Sequence, residues 1–137
     1  GVRGVAFSRA HLFGKNFDNY KNEAQSPLLV AMIEHKNALK DLKNILSVEG
    51  LDAILIGPYD LSASMGSPGD FESAEYLDAV EFILSHAKAQ KVPSGIHVVM
   101  PCVTDLRARI LEGYQFIAYS IDAVLLQDVI TNPIDGQ

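Results

Sequence analysis

Two carboxylates stand where a strand would deliver them to the edge of a sheet. Glu34 closes the apolar run Leu28-Leu29-Val30-Ala31-Met32-Ile33, and Asp60 follows a second run, residues 51–56, inside Ile56-Gly57-Pro58-Tyr59-Asp60-Leu61-Ser62. A buried strand that ends on an acid places a hard oxygen ligand at the carboxyl edge of its sheet, where α/β enzymes keep their chemistry. The pair predicts a divalent-metal site held by Glu34 and Asp60. Taken singly, each acid also has an ordinary reading: Asp60 before Leu-Ser is a common helix cap, and Glu34 at a strand end is commonly solvated or salt-bridged, with Lys36 close by.

Other side chains carry less. His97 falls on an apolar run and reads as a hydrogen-bonded core histidine; His11, His35 and His86 read as surface or helix-end residues. Cys102 follows Pro101 with no His-Asp arrangement to make it a nucleophile, so it reads as a packed thiol. Arg3 could bind an anion or serve an internal ion pair, and Tyr114 and Tyr119 read as core or rim.

The elements that must position these groups follow from periodicity. Apolar runs at 28–33, 51–56, 96–99 and 116–119 read as strands. Between the first two, Ala38, Leu39, Leu42, Ile45 and Leu46 recur at three and four residues among lysines and asparagines, which predicts an amphipathic helix stopped by Gly50. A loop rich in glycine and proline (57, 58, 66, 68, 69) then precedes a helix over 73–90, with Tyr76, Leu77, Val80, Ile83, Leu84 and Ala87 as its stripe. A shorter helix over 104–112 is expected, capped by Thr104 or Asp105 and ended by Gly113, and a closing helix begins at 124–130. Ahead of Pro27 the pattern is less regular, with a short strand at 3–6 and a helical turn at 8–13. Strands that alternate with helices imply right-handed crossovers and a parallel sheet, in an open doubly wound fold or a barrel. In the first strand, alternation puts Met32 and Glu34 on one face, and Ala31 and Ile33 on the other, toward the helices.

Composition excludes several classes. The chain has 137 residues, a formal net charge of −6, one cysteine and 48% hydrophobic residues. That fits one domain with a real core. With no basic stripe to release counterions, nucleic acid is not an expected partner. No apolar run approaches the roughly 20 residues that span a bilayer, so no membrane partner is expected either. A lone cysteine fits a cytoplasmic location. The chain opens on Gly1 and not Met, which reads as a processed, tagged or excised sequence.

The run Met32-Ile33-Glu34, the segment Ile45-Leu46-Ser47-Val48-Glu49-Gly50-Leu51-Asp52, the motif Ile56-Gly57-Pro58-Tyr59-Asp60-Leu61-Ser62 and Ser64-Met65-Gly66 resemble the HpcH/HpaI aldolase family. Arg3-Gly4 and Pro93-Ser94-Gly95-Ile96 stand at the intervals that family shows. The resemblance implies a metal-dependent (class II) aldolase, a carbon-carbon lyase that cleaves 4-hydroxy-2-oxo acids to pyruvate and an aldehyde. It implies a TIM (β/α)8 barrel, of which this chain would be the C-terminal portion, about four βα units, forming a single domain over 1–137 that lacks the N-terminal strands. Such a barrel takes about 250 residues.

By the same resemblance, Glu34 and Asp60 are the metal ligands, the cofactor is Mg2+, Mn2+ or Co2+, and the small-molecule partner is a 2-oxo acid touched by Tyr59 (through its backbone N–H), Asp60 and Met32. Many members carry glutamine where Met32 stands, and a thioether cannot donate the hydrogen bond a glutamine gives. The catalytic histidine base and an arginine belong to the absent strands, so no catalytic residue is assigned here and little turnover is expected of this chain. Oxygen-preferring cations accept two carboxylates plus a bidentate oxo acid, and would polarise its keto group. Amides near Tyr59, Asp60 and Leu61, and the Ser62 hydroxyl, could reach its carboxylate. Two cut sheet edges predict a homo-oligomer. A noncatalytic half-barrel that binds metal or oxo acid, or serves as a structural subunit, is the alternative, and citryl or malyl lyases of the wider superfamily are a third reading.

Overall fold

A computed structural model describes residues 7–130 of the chain. Its centre is a four-stranded parallel sheet in chain order: β1 (Val30–Ile33), β2 (Ala53–Ile56), β3 (Ser94–Val98) and β4 (Phe116–Tyr119). Helices connect them: α2 (Asn37–Leu46) after β1, α3 (Pro58–Ser64) and α4 (Ala74–Gln90) after β2, α5 (Val103–Leu111) after β3, and α6 (Asp122–Val129) after β4. Ahead of the sheet lie a 3-10 segment, Arg9–Gly14, and helix α1 (Phe17–Glu23). The strand at 3–6, with Arg3, lies outside the described residues.

Alternation along the strands separates two faces. Ile33, Ile54, Ile56 and Ile96 point to the helices and are buried, packing with Leu42 and Leu46 of α2, Leu61 of α3, and Tyr76, Ile83 and Ala87 of α4, and Val98 is buried on the same face. The opposite face, the concave side of a barrel, carries Val30 and Met32, both exposed among the described residues. On this face Gly95 of β3 lets the Phe116 ring of β4 lie across the sheet: a Cβ at 95 would sit 2.3 Å from Phe116 Cε2.

Several local expectations are corrected. The segment after β2 is not all loop; α3 occupies 58–64, because Pro58 sits at the first helical turn, where its missing N–H costs nothing. Neither Thr104 nor Asp105 caps α5, whose N-cap is Cys102; Asp105 instead accepts from Arg109 Nε at 3.0 Å. Cys102 is exposed rather than packed. His11 is not on the surface: it is 1% exposed and meets Phe7, Phe17 and Tyr20 edge-on, at 5.3–5.5 Å between ring centres. On α4, Leu77 faces solvent and Ala79 takes the core position, and β3 runs from Ser94 to Val98 rather than 96–99. Tyr114 is buried as expected, and no helix among the described residues is long and apolar enough to cross a membrane.

Candidate active site at the carboxyl edge of the sheet

The strand register gathers the edge. Ile33 pairs with Ile56, Ile56 with Ile96, and His97 with Ala118. One step further along β1 and β2, the Gly57 N–H donates to Ile33 O at 3.1 Å, so Glu34 comes level with Gly57. Contacts confirm this. A Cβ at Gly57 would lie 3.2 Å from Glu34 Cβ, 3.5 Å from Met32 Sδ and 3.6 Å from Glu34 Oε2. Met32 and Glu34 therefore share the concave face, and the Glu34 carboxylate lies over the junction of β2 and α3.

Asp60 belongs to the first turn of α3, three residues beyond Gly57, so the two acids occupy one stretch of edge. Gly57 is the N-cap residue and no side chain caps this helix, which removes the reading of Asp60 as a cap. Neither Asp60 nor Glu34 makes a hydrogen bond or ion pair with any described residue, Lys36 included. Two solvent-facing carboxylates without a cationic partner among the described residues, on adjoining elements, are chemically suited to a hard divalent cation. The described residues contain no cluster of three or more potential ligands, so such an ion would take its remaining ligands from water or substrate.

The first-turn amides of α3, Tyr59 and Asp60, have no intrahelical acceptor by their position. Leu61 is different, because its N–H donates to Gly57 O at 3.0 Å. Ser62 is also spent: its buried Oγ donates to Tyr59 O at 2.9 Å and accepts from the Gly69 N–H at 3.0 Å, pinning the following loop to the helix. Neither group is free for a ligand. The Tyr59 ring meets Phe71 edge-on at 5.0 Å.

A cleft of about 100 Å3 opens between the start of α3 and the end of β3, lined by Pro58, Tyr59, Phe71, His97, Met100 and Arg109 among others. Arg109 is not available to an anion there. Its Nη1 donates to Glu112 at 2.8 and 3.0 Å while its Nε holds Asp105. Burial presses its pKa down, and the two carboxylates more than offset that, for a net rise. His35 is at the start of α2, where its Nδ1 accepts from the Asn37 N–H, and His86 is half-buried on α4. His97 is half-buried on the concave face; its Nε2 lies 3.2 Å from Ser120 O.

Sequence reasoning missed two features of the edge. Gly57 forms a side-chain-free floor beneath Glu34, and Ser120 turns the chain at the end of β4 with φ +60°. A glycine directly after an apolar strand was the available signal for the first; nothing in the sequence marks the second.

A parallel βα sheet whose carboxyl edge carries two acids without a partner among the described residues is the arrangement of a barrel-type α/β protein. The chain belongs to the HpcH/HpaI aldolase/citrate lyase family, whose sequence pattern it matches over residues 3–128. It is 38% identical over 129 residues to a hydroxypyruvate/pyruvate aldolase of Sagittula stellata, covering 93% of this chain and 50% of that protein. It is 39% identical over 128 residues to a pyruvate aldolase of Rhizobium etli, covering 92% and 49%. Among solved structures, a family member from Burkholderia cenocepacia superposes with a TM-score of 0.71 at 28% identity, over 93% of this chain and 49% of that one. The chain thus spans about half the length of the curated relatives it matches, and its four βα units correspond to part of their TIM barrel.

Proposed function

We propose that this chain is the metal-holding portion of a class II pyruvate aldolase, a lyase that cleaves 4-hydroxy-2-oxo acids to pyruvate and an aldehyde. The observation that supports the reading is the Glu34 carboxylate over the Gly57 floor, with Asp60 on the first turn of the helix that Gly57 caps, both without a partner among the described residues. Glu34 and Asp60 would hold Mg2+, Mn2+ or Co2+. When bound, such an ion supplies Lewis-acid polarisation of the keto oxygen and charge neutralisation for the oxo acid. The Tyr59 and Asp60 amides then face the substrate carboxylate as donors, a role suited to a helix start. Met32 offers an apolar, polarisable wall beside the oxo acid, with no hydrogen bond to give.

No described residue stands as a general base beside these acids. The histidine and arginine expected from the family are supplied by strands beyond the four seen here, so the whole barrel is the active unit. β1 and β4 each offer one unpaired edge among the described residues, which favours closure by further strands and assembly with other copies. A cytoplasmic setting accords with the single, exposed thiol.

The reading is tested by pyruvate-dependent Mn2+ or Co2+ binding in the parent, Glu34→Ala and Asp60→Ala, with circular dichroism to follow the fold. Saturable binding is expected in the parent only, with folding preserved in all three. Parent-like binding by both variants removes the site. Saturable binding, with no pyruvate release even when the complete barrel meets 4-hydroxy-2-oxo acids, supports the noncatalytic binding subunit instead.

A further inference from the structure

His97 is a polar side chain of the edge that the metal site leaves unused. Continuing the register, Glu34, Gly57, His97 and Ala118 form a single row across the concave face. Glu34 and His97 lie two strands apart, about 10 Å between backbones, and the residue between them is a glycine. Between Glu34 and His97 the row is therefore a floor, with an acid on one side, an imidazole on the other and no side chain between. That gap matches the length of a short oxo acid joined to a small aldehyde.

The imidazole is held in one tautomer. Its Nε2 faces Ser120 O at 3.2 Å, and a carbonyl oxygen only accepts, so Nε2 carries the proton. In the neutral ring Nδ1 is then the acceptor, and it makes no hydrogen bond with a described residue. Ser120 is itself fixed: its N–H donates to Val98 O at 2.7 Å, its φ of +60° is left-handed, and it is 8% exposed. Its Oγ is buried without a hydrogen-bond partner among the described residues. His97 also lines the same cleft as Tyr59.

We infer that His97 is a specificity-determining residue for the aldehyde half of the substrate, accepting through Nδ1 a hydrogen bond from a hydroxyl on that half. The substrate class selected is a hydroxylated aldehyde over its unsubstituted counterpart. This rests on the aldolase reading and adds to it the chemistry of the second substrate. The hydroxyl donates to Nδ1 while Nε2–H keeps its bond to Ser120, so binding needs no change of tautomer. A methyl group at the same place would leave Nδ1 desolvated without a donor, which is how a polar site rejects an isostere.

The test uses the complete barrel enzyme, in which pyruvate is condensed with glycolaldehyde or with acetaldehyde, two aldehydes that differ by one hydroxyl. The parent is expected to favour glycolaldehyde in kcat/KM by about ten-fold, the worth of one hydrogen bond. His97→Leu is expected to lose that preference, with kcat/KM for acetaldehyde within about two-fold of the parent. His97→Asn, which returns an acceptor near the Nδ1 position, is expected to restore part of it. An unchanged ratio in His97→Leu, or equal loss with both aldehydes, assigns His97 a structural role and overturns the inference. A parent with no metal-dependent condensation of either aldehyde overturns the aldolase reading and this inference together.

Discussion

Gly95 offers the sharpest test of how the concave face is built. A Cβ placed there would stand 2.3 Å from Phe116 Cε2, 2.4 Å from Cζ and 2.6 Å from Cδ2. Ordinary carbon contacts lie at about 3.5–4.0 Å, so an alanine forces a retreat of more than about 1 Å. The backbone cannot supply it cheaply, because Gly95 is paired with Leu55 on one side and Phe116 on the other. The ring must swing off the sheet, at a cost of about 1–3 kcal/mol for an overpacked site. At about 3 °C per kcal/mol for a domain of this size, Gly95→Ala should lower Tm by about 3–9 °C. The same change in a Phe116→Leu background should be near neutral, since position 95 has no left-handed φ to protect and alanine restrains the unfolded chain. Urea unfolding of the four proteins closes the cycle, with an expected coupling of at least about 1 kcal/mol. If Gly95→Ala costs the same in both backgrounds, the ring lying on the glycine is not why a glycine stands there, and the reasoning fails.

Two further outcomes follow from buried polar groups. Burial pushes the Tyr76 phenol up to about 12, a rise that Glu112 and Asp105 reinforce and Arg109 opposes. The folded chain thus keeps a proton that the unfolded chain releases near pH 10, so stability present below pH 10 is lost as pH rises toward 12; in urea unfolding at pH 9 and pH 11, Tyr76→Phe should show a smaller loss than the parent. Ser62→Ala removes two bonds from a side chain that is 1% exposed and leaves the Gly69 N–H without its acceptor; a loss of about 1–3 kcal/mol is expected, together with faster amide exchange at Gly69.

Much of the fold was legible in the sequence because its strands are short apolar blocks and its helices carry a stripe. β4 falls where its residues predicted, and α2 and α4 differ by a residue or two at their ends. The α3 helix was hidden by the glycines and prolines around it, although a proline at the first turn is itself a helix-start signal. Burial of His11 depends on Phe7, Phe17 and Tyr20 converging from both sides of a turn whose Leu12 and Phe13 adopt positive φ, and periodicity does not encode that. The site divides the same way. Alternation put Met32 and Glu34 on one face, and the motif picked out Asp60. Alternation says nothing of stagger between strands, however, so the row that sets His97 across Gly57 from Glu34 emerges only from the register. Ser62 and Leu61, plausible donors in a linear motif, turn out to be consumed by the helix they lie in.

The strand order has a bearing on how such a protein can arise and be rebuilt. In β1-β2-β3-β4 every ladder among the described residues joins neighbours in the chain, and none of these skips a unit. A block of consecutive units thus keeps all its internal pairings when shuffled, duplicated or joined to a different block, and only the two outermost seams need new complementarity. Selection can therefore exchange one block of units without disturbing the ladders inside the next, which is a route to new loops at the carboxyl edge above an unchanged sheet.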